Sequence, residues 1–196
     1  MTEELEFSKE WLSLEKYHFK ILTMVTVLAD NQKAYRGKLA DLCQYLSIKP
    51  SSVNIHNIKA SLDYLVLNNY VNTMTDKDIY TISLSKLAEK NSNIIRIKRA
   101  WYKLIRESKS EAAWEQVLKV FLILLELSQN GERTITYAEI GNQIKCAKST
   151  VERAIKTLCK IDFQDFKIIK ETQKTRLADG SYRTLGTTYK QGIFFE

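Results

Sequence analysis

Apolar residues recur every three or four positions over Leu14, Tyr17, Ile21, Val25 and Leu28, and Met24 and Ala29 widen the stripe. That period predicts an amphipathic helix, closed at Asp30-Asn31. Leu39, Leu42, Cys43 and Leu46 mark a shorter helix after Gly37. Ser47 to Ser52, with the only proline, Pro50, form a turn, and Ile55, Ile58, Leu62 and Leu65 mark the inward face of a third helix. Residues 70–75 and 79–84 then read as two strands around Asp76-Lys77-Asp78, a short hairpin. Ahead of these elements, residues 1–12 form a packed arm carrying Phe7, Trp11 and Leu12 among acids.

The same order returns further on. Trp114, Val117, Leu118, Phe121 and Leu125 mark a helix ending at Asn130-Gly131, a C-terminal signal. Val120, Ile123, Leu124 and Leu127 make that helix apolar on more than one side, the mark of a buried helix. Tyr137, Ile140 and Ile144 mark the next, and Val151, Ala154, Ile155 and Leu158 the one after it. Strands at 166–172 and 185–195 flank a basic turn around Asp179-Gly180-Ser181. Aligning Leu62 with Leu158 matches Ile55 to Val151 and Leu65 to Ile161, a repeat of pattern rather than of identity. Two capping boxes, Thr136-x-x-Glu139 and Ser149-x-x-Glu152, place the helix starts of the later copy. Between the copies, an apolar stripe (Ile94, Ile97, Trp101, Leu104) runs beside a basic one (Arg96, Arg99, Lys103, Arg106), which predicts a mostly helical connector.

The expected fold class is mainly α with small β-hairpins (α+β). It has a first module over 1–84 with its N-terminal arm, a basic amphipathic connector over 85–110, and a second module over 111–196. A chain of 196 residues is long enough for two such cores, and six glycines and one proline leave no low-complexity segment. The acidic start argues against a signal peptide. The longest apolar run, Val120 to Leu125, is far short of the ~20 residues that span a bilayer. Three dispersed cysteines without a Cys-x-x-Cys predict free thiols in a cytoplasmic protein. The net charge of +7 falls on one side of the chain: residues 1–90 hold 11 basic and 11 acidic side chains, residues 91–196 hold 19 and 12. Such asymmetry points to a polyanion partner for the second half.

Helix, helix, turn, helix and hairpin, twice in succession, resembles tandem winged helix-turn-helix DNA-binding proteins. Among these it is similar to the replication initiators of bacterial plasmids and mobile elements. The resemblance implies a first winged helix that dimerises and a second that contacts DNA. A transcriptional regulator of the same fold satisfies the pattern as well. So does, from a different class, an interaction protein whose winged helices bind other proteins. The partners expected are double-stranded DNA and a second copy, met through the first module or the 111–130 helix, with no membrane.

In a helix-turn-helix the start of the second helix enters the major groove. That makes Lys145, Lys148, Ser149, Thr150, Arg153, Lys156, Thr157 and Lys160 the candidate DNA contacts, Arg153 suiting guanine O6 and N7 and the lysines phosphates. Lys174, Arg176 and Arg183 on the hairpin suit the backbone or the minor groove. Secondary candidates are Ser51, Ser52, Asn54, His56 and Asn57 in the first module and Arg96, Arg99, Lys103 and Arg106 in the connector. The surface alternative is a solvated basic face, or lysines guarding a strand edge.

Catalytic signatures are missing. There are two histidines, His18 and His56, and no His-x-His of the kind rolling-circle nicking enzymes carry. Gly141 to Ser149 fails as a phosphate loop, with Cys146 and Ala147 where glycine and lysine belong. No cofactor, metal or enzymatic activity is expected.

Overall fold

The computed structural model describes the backbone of residues 4–28, 34–85, 93–108, 110, 112–129, 134–164, 168–177 and 181–191, and the side chains of all these except 129, 134, 169–175 and 182–191. Among the described residues the protein is α+β, with seven α-helices, one two-stranded and two three-stranded antiparallel sheets. It divides into two compact units, Met1–Arg99 and Ala100–Glu196.

Unit 1 begins with β1 (Glu4–Ser8), a 3-10 turn (Lys9–Ser13) and α1 (Lys16–Leu28). Next come β2 (Ala34–Gly37), α2 (Leu39–Tyr45), α3 (Ser52–Leu67), β3 (Val71–Asp76) and β4 (Ile79–Leu84), and last β5 (Ile94–Lys98). The three-stranded sheet has the order β2-β4-β3, so the last strand of the hairpin lies in the middle. Lys77 turns that hairpin with a left-handed φ of 55°. The arm is a packed element: β1 pairs with β5, and Phe7 and Trp11 are buried edge to face with ring centroids 6.3 Å apart. The core joins Phe19, Ile21, Leu22 and Val25 of α1 to Leu42 and Leu46, to Ile58 and Leu65 of α3, and to Ile82.

Unit 2 takes in α4 (Arg99–Glu107) from Ala100 onward. It continues with α5 (Trp114–Gln129), β6 (Thr134–Ile135), α6 (Tyr137–Ile144), α7 (Lys148–Leu158), β7 (Ile168–Arg176) and β8 (Tyr182–Gln191). Its sheet has the order β6-β8-β7, again with the last strand central. The order helix, strand, helix, helix, strand, strand is therefore shared by α1–β4 and α5–β8. As its apolar circumference requires, α5 is buried: Val117, Leu118, Val120 to Leu125 and Leu127 are all inside. Trp101 of α4 meets Phe121 and Phe163 edge to face, and those two rings stack 5.1 Å apart.

Several expectations change. The stretch read as a helical connector splits, because Ile95 and Ile97 are buried while Arg96 and Lys98 are exposed, the two-residue alternation of a strand. Its basic stripe is accordingly not one surface: Arg96 lies on β5, and Arg99, Lys103 and Arg106 follow on α4. β2 and β6 were not expected at all; each is short, and only pairing with the hairpin makes it a strand. The second hairpin is longer than its alternation suggested. Pairing runs on to Arg176↔Tyr182, past a bulge at Gln173/Lys174. Its turn at Asp179-Gly180, like Phe166 and Phe195, falls outside the described residues.

Candidate functional site

The best-defined polar constellation surrounds the turn from α6 to α7. Thr136 starts α6 with a complete capping box: its Oγ1 accepts from the Glu139 amide at 3.2 Å, and Glu139 Oε2 accepts from the Thr136 amide at 2.6 Å. The helix stops where Lys145 turns left-handed, at φ 53° and ψ 50°. The Cys146 amide then donates back to the Gly141 carbonyl at 2.9 Å. The turn is so tight that a Cβ on Gly141 would lie 2.7 Å from the Cys146 carbonyl oxygen. Ala147 is extended, at φ −67° and ψ 146°, and α7 begins at Lys148.

That start overturns the second expected capping box. The N-cap is Ala147, with no side-chain cap, so Ser149 lies inside the helix. Glu152 instead pairs with Lys156 at 3.1 Å. The sharp exit from α6 brings α7 in two residues early, and a local serine signal cannot outweigh that. Thr157 is also corrected. It is buried, its hydroxyl donating to the Arg153 carbonyl at 3.1 Å and sharing a hydrogen bond with Ser110 Oγ at 2.8 Å. It belongs to the packing, not to the open face.

The buried side of α7 holds Val151, Ala154, Ile155 and Leu158 and packs on α5. On the other side Lys148, Ser149, Arg153, Lys156 and Lys160 are exposed, Thr150 is half-buried, and Lys145 is exposed on the turn. Arg153 Nε donates to the Ser149 carbonyl at 3.3 Å, which lays the guanidinium along the helix start. Lys148 therefore sits at the positive end of the helix dipole, and the first turn holds no acid to offset it. Cations there destabilise the free helix and favour an anionic partner.

Behind the turn is a pair the sequence reading missed. Lys119 and Glu115, one turn apart on α5, are both only 1% exposed. Burial pushes the Lys119 ammonium down to about 8, while Glu115 and then Cys146 pull the other way and Lys145 adds to the lowering. The Cys146 thiol is pushed up by its own burial, with Lys119 opposing. A lysine one turn after a glutamate, inside an otherwise apolar helix, was the available signal.

On the hairpin, Lys174 and Arg183 lie on the paired strands, and Arg176, at the end of β7, is exposed. Two of the first unit's five candidates, Ser51 and Asn54, are engaged in its own fold. Ser51 caps α3 by accepting from the Asn54 amide at 3.2 Å. Asn54 donates to the Lys49 carbonyl at 2.9 Å and accepts from the Tyr17 hydroxyl at 3.2 Å. Ser52 and His56 are exposed and Asn57 is half-buried. His18 stacks on Tyr64, centroids 4.2 Å apart.

The former connector arginines are likewise committed. Arg96 pairs with Glu6 across β1 and β5 at 2.9 Å, and Arg99 Nη1 donates to the Val27 carbonyl at 2.7 Å, at the C-terminal end of α1. Arg106 stacks on Trp114 at 4.3 Å, while Lys103 is exposed. Since Arg96, Lys98 and Arg99 belong to unit 1, that unit holds 14 basic and 11 acidic residues against 16 and 12 in unit 2. The net charges are then +3 and +4, so the contrast between the units lies in where cations cluster rather than in their sum. Among the described residues no group of three His, Cys, Asp or Glu side chains is placed to hold a metal ion, and no helix is long and apolar enough to cross a membrane.

No protein-family model matches this chain, and no curated protein matches it significantly in sequence.

Proposed function

We propose that this chain is a non-catalytic double-stranded DNA-binding protein built from two winged helix-turn-helix modules, in which α7 of unit 2 reads the duplex. One observation carries the reading: Lys145 and Lys148 are exposed at the start of α7, whose first turn holds no acid, while Arg153 and Lys156 are exposed along its outer face and Lys160 just past its C-terminal end. Phosphates supply the missing negative charge, and Arg153 is the side chain suited to a guanine edge. The shared element order and central last strand of the two units support the winged-helix reading. Within it, the role is replication initiation or copy control in a bacterial plasmid or mobile element, with transcriptional regulation by the same architecture as the alternative.

Fluorescence anisotropy with duplex DNA tests this. Four phosphate contacts, one from each of these lysines, would give a slope of log affinity on log salt of about −3.6. A flat salt response overturns the proposal. Selection of bound sequences from a random duplex library then separates the roles: direct repeats fit an initiator, a single palindrome a dimeric repressor.

The interaction-module reading is favoured for unit 1. Ser51 and Asn54 are occupied in capping and in holding Tyr17 and the Lys49 carbonyl, and the exposed part of α3 bears no cluster of cations.

A further inference from the structure

Two buried lysines occupy matching places in the two units. Lys20 of α1 is 3% exposed and Lys119 of α5 is 1% exposed. Aligning them pairs Phe19, Ile21, Leu22 and Val25 with Leu118, Val120, Phe121 and Leu124, all buried. The turns after the second helices match as closely. In unit 1 Ser47 is left-handed at φ 54°, and the Ile48 amide donates to the Cys43 carbonyl at 2.8 Å. In unit 2 Lys145 is left-handed at φ 53°, and the Cys146 amide donates to the Gly141 carbonyl at 2.9 Å. Lys20 Nζ donates to the Leu46 carbonyl at 3.3 Å, at the carbonyl end of α2. Matching the turns puts Ile144, the last residue of α6, in the place of Leu46. Lys119 lies under that turn: Glu115 of its own helix, then Cys146 and Lys145 of the turn, act on it electrostatically.

We propose that Lys119 is a positioning residue for α7: it holds the carbonyl end of α6 from beneath, as Lys20 holds that of α2, and so fixes the turn that sets the reading helix. A cation at the carbonyl end of a helix offsets the helix dipole. The α5 helix carries this lysine and packs against both α6 and α7, so one residue bears on both sides of the turn. The inference rests on the reading of α7 as the DNA-contacting helix.

The same place makes its charge matter to binding. The titratable groups facing Lys119 are Glu115 on α5 and Lys145 and Cys146 on the turn. Burial pushes the ammonium down to about 8. Phosphates bound by Lys145 and Lys148 add negative charge above the turn, and nearby negative charge favours the protonated lysine. A partner that raises a group's pKa binds more tightly where the group is protonated, so DNA affinity falls as pH rises through about 8. The neutral amine keeps a donor but loses the charge that favours both the carbonyl end of α6 and the phosphates. Both histidines, His18 and His56, lie in unit 1, so unit 2 has no imidazole to produce the same change.

Fluorescence anisotropy of the full chain on duplex DNA at fixed salt, from about pH 6.5 to about pH 9, tests this. Affinity should fall about three- to tenfold across the range. The double variant Lys119→Met with Glu115→Gln removes the buried charges together and should show no such fall. Cys159 and the surface lysines are common to both chains, so the difference isolates Lys119. Hydrogen exchange reads the turn without DNA. Relative to amides inside α5, the Cys146 amide should exchange at least about tenfold faster in the double variant, while the matching Ile48 amide of unit 1 keeps its rate. Carbon-13 labelling of lysine follows the Lys119 titration in the unsubstituted chain, where DNA should raise its pKa; this needs no variant to fold. A steep salt slope with a pH-independent affinity overturns this inference alone, and a flat salt response overturns the DNA reading with it. An equal fall with pH in the double variant, an unchanged Cys146 exchange rate, or a Lys119 titration that DNA does not move also overturns it.

Discussion

The backbone of Gly141 approaches that of Cys146 so closely that a single methyl group at residue 141 would sit 2.7 Å from the Cys146 carbonyl oxygen. The neighbour is backbone held by the 2.9 Å hydrogen bond from the Cys146 amide to the Gly141 carbonyl, so it cannot swing aside. Gly141→Ala should therefore cost about 1–3 kcal/mol, as overpacking does, despite the better helix propensity of alanine. Chemical denaturation measures this. A stabilised variant would mean that the turn is looser than its geometry.

The two hydroxyls that look alike in sequence should behave differently. Thr136→Ala removes a formed capping box and should cost about 0.5–2 kcal/mol. Ser149 lies within α7, so Ser149→Ala should leave stability within about 0.5 kcal/mol. Paired melting curves decide this, and equal losses would restore Ser149 as a cap.

Lys119 should make stability rise with pH. Its folded pKa, about 8, lies below the ordinary 10.5, so between those values the unfolded chain binds a proton that the folded chain does not. Stability then increases across that window, by at most about 1.4 kcal/mol for each pH unit crossed. Cys146, pushed up from 9.0, works in the opposite direction above pH 9. Urea denaturation of the chain and of Lys119→Met between about pH 7 and 10 isolates the lysine, and the difference should grow in favour of lysine as pH rises. A constant difference would mean that Lys119 keeps its ordinary pKa. Lys119→Met alone leaves Glu115 buried without its cation and should destabilise at pH 7; adding Glu115→Gln should recover part of the loss.

Arg153 and Thr157, one helical turn apart, separate binding from packing. Arg153→Ala should cost ~1–3 kcal/mol of DNA affinity at one preferred base and leave melting nearly unchanged. Thr157→Ala should lower stability, through its lost bonds to Ser110 and the Arg153 carbonyl, and leave the salt slope of binding intact. Anisotropy and melting on both variants check this, and a reversed pattern would remove α7 as the reading helix.

Local signals in the sequence determined the helices, because an apolar stripe of period 3.6 has one way to be buried. Ile58, Leu62 and Leu65 of α3 and Val151, Ala154, Ile155 and Leu158 of α7 are such stripes, and each lies in a core. Thr136 and Glu139 likewise carry their box within four residues. What only the tertiary structure decided depends on partners far along the chain. β2 and β6 exist through pairing with strands about 50 residues away, and the arm becomes β1 only because β5 is there to meet it. Isolated short strands have no hydrogen-bond partners of their own, so no local pattern could announce them. The start of α7, the burial of Thr157 and Lys119, and the exposure of Val53 and Leu67 are of the same kind. Each depends on what packs against the residue, and the residue type does not say.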